Sequence, residues 1–244
     1  MLSNFVVVIG SKPEIFLPDI LPKKVYTANN AIERANFYKK KNVKIKLISV
    51  LGNQFFNYDT FVKNIIKFEP NEILTTNGKI DLDKYYDKNF ISKIKYRYIE
   101  NKGRDLQKVY FNPLTLRLGD ISLIFSNKNY FYGIIRFIYN IFIKRRKPMG
   151  LSTGCLTMLI ALTENINSKI IVTGIGLQGG NHYESSNKFY STRHFYDFRG
   201  MTDAYLIKKL PKSVRYRILT TDLTFSKVAN VRFINKNDNL LNEI

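Results

Sequence analysis

Short, continuous apolar runs alternate with amphipathic stretches along most of this chain. Phe5–Ile9 is a β-branched run that stops at Gly10-Ser11-Lys12-Pro13, so a strand buried on both faces is expected to enter a turn there. Val25–Ala28 predicts a second strand, Ala31–Lys41 a helix, Lys44–Val50 a third strand, Phe61–Phe68 a helix and Glu72–Thr76 a fourth strand. Residues 77–128 keep no period; Asn77-Gly78 marks a turn, and Asp120–Phe125 is the stretch there that reads as a strand. The pattern returns after residue 152. Thr153–Thr163 predicts a strongly apolar helix, Ile170–Thr173 a strand, Thr202–Leu210 a helix, and Val214–Leu219 and Val231–Ile234 two closing strands. Helices between doubly buried strands imply an α/β fold: a single Rossmann-like domain over residues 1–244, with a mostly parallel sheet and helices on both faces.

One segment stands apart. Tyr130–Ile143 is almost wholly apolar or aromatic, and on a helix its exceptions Gly133, Arg136 and Asn140 share one stripe. It is too short to span a bilayer, and Lys144-Arg145-Arg146-Lys147 follows at once. Two readings are open: an interfacial helix whose basic end meets anionic lipid, and a buried core helix with a solvated basic end.

Composition narrows the class. The 244 residues are 45% hydrophobic, which excludes a mainly disordered chain, and Cys155 alone excludes an intrachain disulfide framework. His182 and His194 are the only histidines, so little is left for a metal site. The start lacks a basic leader and no apolar run approaches membrane-spanning length, so an intracellular chain without a cleaved signal is expected. The net charge of +20 points to an anionic partner: nucleic acid, an anionic membrane surface or a phosphorylated ligand. Residues 101–150 alone carry a net +8.

Candidate chemistry gathers late in the chain. Ser152-Thr153-Gly154 precedes the apolar helix, and a Ser or Thr cap followed by Gly opens backbone N–H groups at the positive end of a helix dipole. Gly174-Ile175-Gly176-Leu177-Gln178-Gly179 is a literal GxGxxG after a strand, yet a polar, loop-like stretch follows, which excludes a dinucleotide fingerprint. That stretch, 181–199, holds both histidines among Tyr183, Glu184, Tyr190, Arg193, Tyr196, Asp197 and Arg199. A His near a carboxylate serves as a general base near neutral pH, while Arg and Tyr bind an acidic substrate. Asp81-Leu82-Asp83 matches a metal-clamping DxD but follows a turn signal without a strong strand, and reads as a turn.

Together these residues resemble a known family. Leu151–Leu162 followed by Lys169–Gly176 is similar to the small sialyl motif of sialyltransferases, in which Ser-Thr-Gly opens an apolar helix and the next strand ends in Gly-aromatic-Gly, with Ile175 here at the aromatic position. Asn181-His182-Tyr183-Glu184 resembles the family's third motif, one residue shorter, and Gly10-Ser11-Lys12-Pro13 with Asn29-Asn30-Ala31 resembles the start of its large motif. The resemblance implies a variant GT-A fold and metal-independent, cofactor-free transfer of a sialic acid, or of Kdo, from its CMP conjugate to a glycan or glycolipid acceptor. It places Gly10, Ser11, Asn29 and Asn53 on the nucleotide and sugar, Ser152, Thr153 and Gly154 on the donor's carboxylate or phosphate, and Tyr183, Glu184 and Arg193 around the substrate. Its base is a His ahead of an acid-bearing C-terminal helix, which selects His194 before Asp203, with His182 the other candidate. Related Kdo transferases that retain configuration need a carboxylate nucleophile, for which Glu184, Asp197 and Asp203 are available. The expected setting is cytoplasmic, peripheral on the inner face of a bacterial membrane, with a homo-oligomer allowed and no nucleic acid bound. The alternatives are a basic nucleic-acid-binding module and another nucleotide-dependent transferase, such as a methyltransferase.

Overall fold

The computed structural model describes residues 3–12, 15–76, 78–121, 124, 129–148, 150–177, 193–235 and 238, with the side chains of 3, 53, 54, 101, 102 and 193–199 outside that set. Eight strands form one sheet: β1 Ser3–Ile9, β2 Pro22–Ala28, β3 Lys46–Leu51, β4 Glu72–Thr75, β5 Lys95–Tyr98, β6 Lys169–Thr173, β7 Ile218–Thr220 and β8 Arg232–Phe233. Their order is β5-β4-β3-β2-β1-β6-β7-β8, and every pairing is parallel. The expected α/β, Rossmann-like single sheet is what forms.

The helices are α1 Ile32–Lys41, α2 Asp59–Phe68, α3 Lys88–Lys93, α4 Arg104–Tyr110, α5 Pro113–Leu118, α6 Tyr130–Ile138, α7 Thr153–Glu164, α8 Arg193–Lys208, α9 Lys212–Arg215 and α10 Leu223–Ala229. They cover both faces because β1 alternates perfectly between two cores. Val6 and Val8 join α7, α8 and α10 on one side, while Phe5, Val7 and Ile9 join α1 and α2 on the other. Helix α7 is apolar around its whole circumference, and Cys155–Leu162 are all buried against β1, β2 and β6.

Several expectations need correction. The patternless 77–128 stretch contains α3, β5, α4 and α5, none longer than seven residues, too short for a period to register. Asp120 and Ile121, expected to begin a strand, instead belong to a 3-10 turn at Gly119–Ile121, where Gly119 lies against Leu206 of α8. The strand expected from Val214 begins only at Ile218: Pro211 opens the short α9, and the Arg217 guanidinium is drawn to the carbonyls of Leu162, Asn165 and Ser168. The polar stretch expected to be a loop to residue 199 is helical from Arg193 onward.

The far end of α7 carries a polar knot in which Tyr26 and Glu72 are buried while Arg97 and Glu164 reach the surface. Glu164 accepts from the Tyr26 hydroxyl at 2.7 Å and from Arg97, and Arg97 also donates to buried Glu72 at 2.8 Å. Burial pushes the Tyr26 hydroxyl pKa upward, reinforced by the Glu164 carboxylate. Burial alone lowers the Arg97 pKa, but the hydrogen bond and charge of Glu164, with Glu72, raise it overall. These groups sit by the amino ends of β3 and β4, opposite the edge where ligands bind in open α/β sheets, so their role is to hold α7 on the sheet.

Candidate active site

Strand order reverses direction between β1 and β6: β2 to β5 build outward on one side, β7 and β8 on the other. The carboxyl ends of these two strands therefore frame the crevice in which doubly wound sheets bind ligands. Two glycines let the chain turn there. The Gly10 amide donates to the Thr173 carbonyl at 2.8 Å, and a Cβ on Gly10 would stand 2.2 Å from the Gly174 carbonyl oxygen. Gly174 has φ +69°, which a side chain would strain. The Lys12 amide donates to the Gly174 carbonyl at 2.9 Å, so the turn after β1 is clamped onto the end of β6.

Charged and hydroxyl groups line this clamp. The Lys12 ammonium meets Asp222 at 2.6 Å, and Asp222 also accepts from the Phe225 amide, which caps α10. Arg34 donates to the Lys12 carbonyl, and the Thr221 and Thr173 hydroxyls are 2.8 Å apart. Sequence reading missed the Lys12–Asp222 pair because 210 positions separate its members. An acidic residue directly before the Leu223–Ala229 amphipathic stretch was the available signal.

The start of α7 lies beside this crevice, since a Cβ on Gly154 would rest 3.5 Å from the Ile175 side chain. Ser152 is the cap: its hydroxyl accepts from the Cys155 amide, and its carbonyl takes the first helical bond, from Leu156. Its own amide donates to the Asp203 carboxylate at 2.8 Å. Asp203 is 1% exposed. This bond ties α8 to the first turn of α7, so Asp203 is a buried positioning group and not an accessible nucleophile. It also means that one protein carboxylate already uses part of the helix-start field.

Gly10 is buried and Ser11 half-buried in the turn after β1. Asn29, at φ 51°, follows β2 and accepts from the Gly52 amide at 3.2 Å, while Asn53 opens the 3-10 turn after β3. All four therefore lie at the carboxyl edge of the sheet, as do Ser152, Thr153 and Gly154. Arg193 and His194 are the first two residues of α8, on the helix that Asp203 anchors, with their side chains outside the described residues. His182, Tyr183, Glu184 and Tyr190 lie outside the described residues altogether, and the side chains of Tyr196, Asp197 and Arg199 do so too.

Two open grooves of about 280 and 300 Å³ lie elsewhere, at the amino ends of β1, β6 and β7, and share Lys169 and Tyr216. Lys169, Lys212, Arg215, Arg217 and Arg232 line them, with no Asp or Glu among the described lining residues, and Tyr216 is 82% exposed between them.

No family model, curated protein or solved structure matches this chain.

Proposed function

We propose that the chain is a glycosyltransferase that moves a sialic acid, or a related 3-deoxy-ulosonic acid such as Kdo, from its CMP conjugate to a glycan or glycolipid acceptor at the inner face of a bacterial membrane. The observation that carries this reading is the Ser152–Asp203 bond, because it joins the amide-rich start of α7 to the helix that begins with Arg193 and His194, beside the crevice between β1 and β6. On this reading the start of α7 supplies the anion site and the helix it is tied to carries the general base.

The chemistry needs no more than those two functions. The donor's anomeric carbon bears a carboxylate and passes through an oxocarbenium-like state as its bond to the CMP phosphate oxygen breaks and CMP leaves with the electron pair. His194 (or His182) takes the proton from the acceptor hydroxyl as that oxygen bonds to the anomeric carbon. The Thr153 and Gly154 amides oppose the charge that gathers on the departing phosphate or the sugar carboxylate. Asp203 keeps α8 in place for this transfer and does not bond to the sugar.

The test is incubation with CMP-sialic acid and with CMP-Kdo, each with glycolipid acceptors, and mass spectrometry of the products. The expected result is transfer from one donor, a thermal shift with CMP, and an at least ~100-fold slower His194→Ala variant that still binds CMP. If neither donor is consumed and CMP leaves the melting temperature unchanged, the reading falls. The groove around Tyr216, lined by Lys169, Lys212, Arg215 and Arg232, favours a second reading, a module that binds single-stranded nucleic acid by stacking and cation contacts. A thermal shift with a random oligonucleotide and none with CMP selects it, and a shift with S-adenosylmethionine alone selects a methyltransferase.

A further inference from the structure

The segment running from α6 through its π-helical extension Tyr139–Ile143 is inverted relative to an ordinary surface helix. Its buried positions are Gly133 and Asn140, while Phe131, Phe142 and Ile143 are between 67% and 70% exposed. Tyr130, Tyr132, Ile134, Ile135, Ile138 and Tyr139 are exposed as well. The inward face allows close approach at Gly133, where a Cβ would stand 2.1 Å from the Ile124 carbonyl oxygen, and the Asn140 side-chain amide bonds back to the Arg136 carbonyl of the preceding turn at 2.8 Å. Half-buried Phe137 and Ile141 share this inward stripe, and the other large apolar side chains face out. A contiguous outward apolar face of this kind marks a binding surface.

Charge decides what covers it. Residues 129–148 contain no Asp or Glu, and Lys144–Lys147 are all exposed at the end of the apolar face. The basic turn is held, not loose: the Arg146 amide donates to the Asn140 carbonyl at 3.0 Å, and Arg117 donates to the Arg146 carbonyl. A second copy of the chain would bring an identical cationic cluster and another +20 of net charge against it. An anionic headgroup layer matches both features at once, with acyl chains for Phe and Ile, a wet boundary for the Tyr hydroxyls, and phosphates for Lys and Arg. The fourteen residues span roughly 21 Å, short of a ~30 Å hydrocarbon core, so the helix lies in the plane of the membrane.

We propose that Tyr130–Ile143 is an in-plane anchor that docks on an anionic lipid bilayer through its outward apolar face, with Lys144–Lys147 in the headgroup layer, and that it thereby presents the crevice to a lipid-linked acceptor. The second clause rests on the transferase reading; the docking does not. Five residue steps from Lys147 to Ser152 reach at most about 18 Å, so the start of α7 lies within that distance of the basic cluster.

Sedimentation with vesicles tests the docking. The full chain is expected to pellet with vesicles containing an anionic phospholipid and much less with purely zwitterionic ones. A Phe131→Asp/Ile135→Asp/Phe142→Asp variant, and a variant with all four of residues 144–147 changed to Glu, are each expected to bind at least about tenfold more weakly, with unchanged melting temperature. Equal pelleting of wild type and both variants, or no pelleting at all, overturns the proposal. So does a lipid-free dimer in analytical ultracentrifugation that the Asp substitutions dissociate, together with no vesicle binding, because the face then belongs to a second copy. With docking lost, transfer to a lipid-linked acceptor in vesicles is expected to drop at least about tenfold while transfer to a water-soluble acceptor stays the same. Vesicle binding without any transfer leaves the anchor standing and removes the enzyme reading alone.

Discussion

Helices α6 and α7 are separated by only fourteen residues, and both are dominated by Ile, Leu, Phe, Tyr and Met, yet they meet opposite fates. In α7 eight consecutive residues, Cys155–Leu162, are buried between the sheet and its covering helices. In α6 only Gly133 is buried, and apart from half-buried Phe137 the large apolar side chains are exposed. The difference teaches that apolar content alone does not assign a helix to the core. What assigns it is whether the largest side chains or the smallest ones find the complementary surface. Helix α7 crosses β1, β2 and β6, whose Val and Ile side chains interdigitate with Leu156, Leu159 and Ile160. Helix α6 instead meets a neighbouring backbone at Ile124, which admits only a glycine.

Substitutions at five positions would break or sharpen this contrast. Leu159→Ala should cost about 3 kcal/mol of unfolding free energy in a denaturant titration, since it opens a cavity in a fully buried layer; a cost below about 1 kcal/mol would show that α7 is not the core helix it is taken to be. Asp203→Ala should cost about 2 kcal/mol by stranding the Ser152 amide, and Asp203→Asn, which keeps an acceptor oxygen, should recover most of it. Identical losses in the two variants would remove the Ser152 bond as the link between α7 and α8.

The third substitution carries the buried side of the contrast to the other face of the sheet. Tyr38 is fully buried and donates to the Pro18 carbonyl, and burial raises its hydroxyl pKa above the ordinary 10.0. A raised folded value means that its stabilisation is whole below pH 10 and is lost as the pH climbs above that. The alkaline decline of stability should therefore be shallower in Tyr38→Phe by about 1.4 kcal/mol per pH unit; parallel curves for the two proteins would contradict the burial. The smallest effect belongs to α6. Ile135→Ser and Ile138→Ser should each change lipid-free stability by no more than about 0.5 kcal/mol, as exposed positions do, and a larger loss would mean that the face is covered in solution.

Much of the fold was legible because its central strands are short β-branched runs that tolerate no other placement. Val6, Val7 and Val8 bury both faces of β1, and the glycine after them had to be a turn. The connections between β4 and β6 were not legible, since α3, α4 and α5 are one- or two-turn helices whose caps (Asp87 and Asn112 among them) are visible only once the helix is known. The site was legible in part. Gly10, Asn29 and Ser152 each end or begin an element, so local rules place them at the carboxyl edge of the sheet. Asp203 lies mid-helix, 51 positions from the amide it binds, and read as a possible nucleophile until its burial assigned it a positioning task. His194 sits on the first turn of a helix that local composition presented as a loop, because Arg, His, Tyr and Asp crowd its opening turns.

By itself, the order of residues determined the alternation of strand and helix, the glycine turn after β1, the capped start of α7 and the stripe that sets Gly133 and Asn140 apart from their apolar neighbours. All of these follow from interactions within a few positions along the chain. Which side of that stripe meets the protein, the pairing of Lys12 with Asp222, and the bond from Ser152 to Asp203 were decided only by the assembled sheet. Each depends on surfaces brought together from distant positions, and local periodicity carries no information about what a face will find opposite it.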